Sequence, residues 1–200
     1  MKKFFHSLLL FLTFVILIFV LLLVYVFFRY RSWEKEFVSN MNSEYLIDEE
    51  SIKEVDLDER LAKFTLSLSD TDSLRLEVKE VGSVLFTTID SYLAEGLYLE
   101  NMYISPSDKK WDIYLKVGYE NISLWISFDL NKDSMQTAQL YTTSVKVGPF
   151  EVSEYTNLVA MINKGIGEAI VTLNENGFVG KYIENIELLE DAMVIKGSRY

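Results

Sequence analysis

The chain has no cysteine and one histidine, His6, among its 200 residues. No cysteine means no disulfide, no thiol nucleophile and no thiolate-ligated metal. With the one imidazole at the edge of an apolar run, any globular region downstream lacks the histidine of a Ser–His–Asp triad or of a His-ligated zinc site. Proline is scarce as well, with two residues, and no Pro- or Gly-rich stretch divides the chain. Basic charge is the last shortage. Residues 1–31 hold Lys2, Lys3, Arg29 and Arg31 and no acid, so the remaining 169 residues carry 15 basic and 30 acidic side chains. A region of net charge −15 repels nucleic acid and anionic head groups, which excludes nucleic-acid binding. No cofactor and no metal is expected.

One long hydrophobic run is present. Between Phe4 and Phe28 there is no Asp, Glu, Lys or Arg, and residues 8–28 read LLLFLTFVILIFVLLLVYVFF. At about 1.5 Å per residue a helix of this length crosses a hydrocarbon core of about 30 Å. Tyr25, Tyr30 and Trp33 follow it, where interfacial aromatics belong. The run is too long for a secretory h-region and no small-x-small cleavage site follows, so an uncleaved signal-anchor is expected, with residues 8–28 in the membrane. Lys2 and Lys3 before the run nearly balance Arg29, Arg31 and Lys35 after it. The short N-terminal tail favours a cytoplasmic N-terminus and an extracytoplasmic C-terminal domain, giving a single-pass cell-membrane protein. A cytoplasmic domain tethered to the inner leaflet is the alternative.

The expected organisation is tail and anchor over 1–31, an acidic solvated stalk over 32–60, and one globular domain over 61–200. Phe64, Leu66 and Leu68 alternate with Thr65, Ser67 and Ser69, which predicts a half-buried strand, and Asp70–Ser73 reads as a turn. Val78, Val81, Leu85, Ile89 and Tyr92 recur at helical spacing, predicting a helix over 77–95 that ends at Gly96. Strands are predicted near 97–105, 111–117, 122–130 and 136–147. In the central pair, a turn at Tyr119–Glu120 sets Val117 opposite Ile122, Leu115 opposite Leu124 and Trp111 opposite Phe128, and puts Tyr114 opposite Trp125 on the other face. Ser153 reads as an N-cap for a second amphipathic helix over 154–173, whose stripe is Leu158, Ile162, Ile166, Ala169, Ile170 and Leu173. Strands near 179–188 and 192–197, turning at Glu190–Asp191, complete the chain. The fold class expected is α+β, with a transmembrane helix followed by a curved, mostly antiparallel sheet packed against two long amphipathic helices.

Chemical motifs are few. Asp129, Asn131 and Asp133 match the start of a calcium loop, D-x-[DN]-x-[DN], but Ser134 and Leu140 occupy the positions that require Gly and a bidentate Glu. A polar hairpin loop is the better reading. Gly165 and Gly167 lie inside a predicted helix rather than after a strand, so they do not form a phosphate loop, and close packing or a kink is expected there. No G-x-S-x-G appears, and no carboxylate pair stands out, so no catalytic residue is assigned and the domain is expected not to be an enzyme.

The segment VKVGPFEVSEYTNLVAMINKGIGEAI, in which a strand end turns into a long amphipathic helix, resembles the corresponding part of small, uncharacterised membrane-anchored proteins of Gram-positive bacteria. The order strand, helix, strands, helix, strands also resembles tubular lipid-binding domains, where a curved sheet wraps a long helix. That resemblance implies binding of a lipid or other apolar ligand. The groove is expected to be lined by Leu85, Ile89, Tyr114, Trp125, Ile162 and Ile166. The alternative is an interaction or scaffold subunit docking a cell-envelope protein partner without a small-molecule ligand, and a third reading is an envelope enzyme using paired carboxylates.

Overall fold

A computed structural model describes residues 2–52, 64, 71–135, 137–155, 157–172, 174 and 181–199. It divides into two compact units, residues 1–40 and 41–200.

The first unit is one helix, α1, Lys2–Asn40. Its 39 residues are long enough for a membrane span and more; at about 1.5 Å per residue, roughly half of its length would suffice to cross a hydrocarbon core of about 30 Å. The part from Leu9 onward has a mean hydropathy of 3.3 over its most apolar window. Thr13, a polar residue within the run, donates its hydroxyl to the Leu9 carbonyl at 2.9 Å, so its hydrogen bond is kept inside the helix. Beyond Phe28 the helix continues without a break. Tyr30, Trp33 and Phe37 form an aromatic stripe along it, with ring centroids 5.8 Å and 4.8 Å apart in succession. The first nine residues of the expected stalk are therefore helical.

The second unit is α+β. Its elements are β1 (Leu46–Ile47), the single-turn helix α2 (Glu49–Ile52), β2 (Thr71–Glu77), α3 (Val78–Tyr92), β3 (Leu97–Ser107), β4 (Lys110–Tyr119) and β5 (Ile122–Lys132). There follow β6 (Leu140–Tyr141), β7 (Val145–Val147), β8 (Phe150–Glu151), α4 (Leu158–Thr172), β9 (Lys181–Leu188) and β10 (Ala192–Arg199). All described pairings are antiparallel, and the strands make two sheets rather than one: β1-β3-β4-β5-β7-β8, with β6 also on β5, and β2-β10-β9. Neither closes into a barrel.

The sheets are joined by backbone and side-chain bonds at one corner. Lys109 donates its amide to the Leu188 carbonyl at 2.9 Å, and the Trp111 indole N–H donates to the Leu189 carbonyl at 2.8 Å. Trp111 is fully buried, as are Ile47, Met102, Ile104 and Val145. Burial of Ile47, which pairs with Met102 in β3, places 46–47 within the domain instead of the solvated stalk. The core lies on the face of β3–β5 that carries Met102, Ile104, Trp111, Ile113 and Leu115.

Helix α3 forms as its stripe predicts. The Glu80 carboxylate accepts the amide proton of Glu77 at 2.7 Å and stabilises the first turn. Val78, Val81 and Phe86 are buried, with Leu85 and Ile89 half-buried against the same core. Tyr92, read as part of the stripe, is exposed. Gly82 permits the close approach to the sheet: a Cβ there would stand 2.6 Å from Ile47 Cδ1 and 3.2 Å from Ile104 Cδ1.

Four readings of the sequence are corrected. The β4–β5 hairpin turns at Glu120–Asn121, with Glu120 at φ 51°, so Tyr119 faces Ile122, Val117 faces Leu124 and Trp111 faces Leu130. The register is two residues from the expected one. A slip of two keeps every side chain on its face, so alternation alone does not distinguish the two registers. The turn expected at 70–73 is instead the start of β2, where Thr71, Asp72 and Ser73 pair with Ser198, Gly197 and Lys196. Of the strand expected from Phe64 to Ser69, Phe64 is helical and buried, and the rest lies outside the described residues. Ser153 does not cap α4; its hydroxyl oxygen accepts the Val145 amide proton at 2.7 Å, holding β7.

Candidate functional site

Helix α4 begins at Leu158, preceded by a short 3-10 turn over Ser153–Tyr155. Among the described contacts, a polar clasp and a few apolar contacts hold it to the domain. The Asn163 side-chain carbonyl accepts the Thr142 amide proton at 2.7 Å, and its NH2 donates to the Thr142 carbonyl at 2.9 Å. The amide thus mimics a neighbouring strand at one residue of the rim between β6 and β7. Ile166 and Ile170 pack, half-buried, against the domain core.

Beside this clasp is a cleft of about 430 Å3 lined by Ala138, Gln139, Leu140, Tyr141, Asn163, Gly167 and Ile170. Most of that lining is apolar, with Gln139 and Asn163 each bringing a side-chain amide. Gly165 and Gly167 were expected to permit close packing or a kink; among the described residues, no atom outside the helix's own backbone lies within 4 Å of where a Cβ would stand on either.

The six expected groove residues fall into two groups. Leu85 and Ile89 on α3, and Ile166 on α4, sit against the core, and Ile162 is half-buried on α4. Tyr114 and Trp125 lie on the opposite face of β4 and β5, because they are out of phase with the core residues Ile113 and Leu115 of β4 and Leu130 of β5. Tyr114 faces Ser127 and Trp125 faces Lys116, so the two aromatics are diagonal neighbours instead of a direct pair. Tyr114 stacks at a tilt on Tyr103 of β3, centroids 5.9 Å apart. Burial, then the nearby Asp112 carboxylate and Tyr103, push the Tyr114 phenol above its ordinary value.

That second face also carries a buried carboxylate. Asp129 accepts from the amides of Thr143 and Ser144 at 2.8 Å and 2.7 Å, from the Thr143 hydroxyl at 2.5 Å and from the Asn131 NH2 at 2.8 Å. Burial pushes its pKa up, but the bonds from Thr143, Asn131 and Ser144 outweigh burial and hold it below the usual carboxylate range. The residues that resembled a calcium loop therefore serve the fold. Asp133 accepts the Met135 amide proton at 3.0 Å. Lys132 is buried with its ammonium donating to the carbonyls of Met135 and Thr137, both at 2.7 Å.

A second, more polar cleft of about 280 Å3 lies where β5 nears β9, lined by Lys109, Lys132, Asp133, Asn185 and Glu187 among others. Asn185 donates to Glu187 at 3.1 Å, and Lys196 donates to the same carboxylate oxygen at 2.6 Å.

The residues that define the α4 cleft were mostly missed by sequence reasoning. Asn163 did leave a signal, since an asparagine on the inward side of a helix calls for a hydrogen-bond partner. Ala138, Leu140 and Tyr141 fell within a strand that was expected to run unbroken. The chain matches no protein-family model, no curated protein and no solved structure at a significant level.

Proposed function

We propose that this is a single-pass membrane protein whose acidic domain lies on the extracytoplasmic side and binds a lipid or other apolar ligand without catalysis. The observation that carries the reading is the cleft of about 430 Å3 between α4 and the β6 rim, with its side walls of Ala138, Leu140, Tyr141 and Ile170. Its size falls within the roughly 300–1,000 Å3 of small-molecule sites, and a mostly apolar lining with a few polar groups is the usual chemistry of such sites. Ala138, Leu140 and Ile170 would bury an acyl or similar chain; the Asn163 amide, already engaged with Thr142, closes one end. Helix α1 supports the reading by its length and apolar composition, which suit a span that keeps the cleft near a lipid reservoir.

Gly167→Leu tests it. Position 167 lines the cleft with open space beyond its Cα, and leucine is a better helix former than glycine. The variant should therefore fold while filling the site. Titrated with a fluorescent fatty acid, the full chain in nanodiscs should lose about tenfold or more in affinity, equivalent to about 1.4 kcal/mol or more. Unchanged binding would reject this cleft as the site.

A second reading, a scaffold subunit of a cell-envelope complex with no small-molecule ligand, is favoured by the packing between α3 and β3. There the apolar stripe is consumed as ordinary core. It predicts that Gly167→Leu has no effect on lipid uptake and that crosslinking in cells recovers one reproducible protein partner.

A further inference from the structure

The outward side of α4 carries four exposed residues at spacings of three, four and three: Met161, Lys164, Glu168 and Val171. Met161 is 65% exposed and Val171 53%. Such spacing places all four in one line along a helix, the geometry of a helix–helix seam. Within one chain the only described interaction of this line is the Lys164–Glu168 pair at 3.5 Å, with both side chains well exposed. Among the described residues nothing covers the two large apolar residues at its ends.

The line is symmetric about position 166. Two steps before it stands Lys164 and two steps after it Glu168; five steps before it stands Met161 and five steps after it Val171. If a second α4 is laid antiparallel across the first, with a two-fold axis at that level, each residue meets its counterpart. Lys164 of one copy meets Glu168 of the other, twice, and Met161 meets Val171, twice. An isologous interface requires such self-complementarity of one patch, with opposite charges facing and apolar residues facing. A parallel pairing would instead set Lys164 on Lys164 and Glu168 on Glu168. Gly165, beside the line, has open space where a Cβ would stand and lets the two backbones come close.

We infer that the partner of this surface is a second copy of the chain, bound through an antiparallel α4–α4 seam. The seam is one helix face, smaller than the roughly 1,000 Å2 of a stable soluble interface. It forms where both copies are confined to one bilayer by α1, which raises the effective concentration of one face for the other. The confinement to one bilayer rests on α1 as a membrane span; the choice of partner and orientation rests on the residues of α4 alone. Because the seam faces away from Ile166 and Ile170, it leaves the cleft at the β6 rim open.

The absence of native cysteine makes the test direct. Full-length Met161→Cys and Val171→Cys variants are placed separately and together in phosphatidylethanolamine–phosphatidylglycerol vesicles and treated with a short bis-maleimide. The mixture should give crosslinked dimers, and either variant alone far fewer. Lys164→Glu and Glu168→Lys should each weaken association about tenfold, as two exposed pairs turn from attraction to repulsion, and the double exchange should restore it. No dimer in the mixture overturns the inference, as does crosslinking of Met161→Cys with itself at the level of the mixture. Failure of the double exchange to restore association also counts against it. None of these outcomes depends on lipid in the cleft, so the seam and the ligand reading fail or stand separately.

Discussion

Asp129 sits on the face of β5 away from the core, and its carboxylate takes the amide protons of Thr143 and Ser144 that a continuing strand would have given to a neighbour. This is why the strand expected over 136–147 is broken into β6 and β7, with Asn163 capturing Thr142 one residue earlier. Replacing Asp129 by Asn can keep an oxygen on the Thr143 and Ser144 amides, which share Oδ1, but sets its NH2 against the Asn131 NH2 and the Thr143 hydroxyl at a buried position; it is expected to cost about 2 kcal/mol, read as a lower melting temperature of the full chain in nanodiscs. The pH dependence has a definite sign. Asp129 has a folded-state pKa below its unfolded value, so it contributes stability above about pH 4, and that contribution is lost as pH falls through the folded value. Asp129→Asn should flatten the fall in melting temperature below about pH 4 relative to the parent chain. Equal slopes in the two proteins would show that this carboxylate is not a source of acid sensitivity.

At the scale of the element, local pattern and distant contact separate cleanly. The stripe Val78, Val81, Leu85 and Ile89 predicts a helix over 77–95, and α3 runs Val78–Tyr92 with that face against the core. The faces of β4 and β5 follow from alternation of Trp111, Ile113 and Leu115 with polar neighbours. The register was not legible, since it is fixed by the left-handed backbone at Glu120, and a slip of two leaves the hydrophobic pattern unchanged. None of the six expected groove residues is among the residues that line the α4 cleft. Ile162 and Ile166 are on the same helix, whereas Tyr114 and Trp125 are on the far face of the sheet. What set the cleft walls, the Asn163–Thr142 clasp, joins residues 21 apart and has no local pattern. The close approach of α3 to the sheet also came from contact, not from periodicity. Gly82→Ala drives a methyl into Ile47, which is fully buried and has little room to shift. The expected loss is about 1–3 kcal/mol by thermal denaturation, although alanine is the better helix former. A neutral or stabilising result would mean that α3 rides higher on the sheet.

For the whole molecule, the apolar helix and the acidic domain describe two different solvents in one chain. α1 has the composition of a span, and the domain carries its excess of Asp and Glu on a packed α+β fold. The proposed extracytoplasmic placement gives a specific expectation. Ser134 is exposed on the β5–β6 connection, and with no native cysteine present a Ser134→Cys variant offers a single thiol. It should react with a membrane-impermeant maleimide on intact cells. Labelling only after lysis would place the domain in the cytoplasm. A photoactivatable fatty acid incorporated into membranes holding the full chain probes the proposed ligand cleft at α4. After irradiation and peptide mapping, adducts are predicted on 138–141 and 163–170 in addition to the apolar run of 8–28. Adducts confined to 8–28 would contradict the claim and leave the domain without the apolar ligand proposed for it.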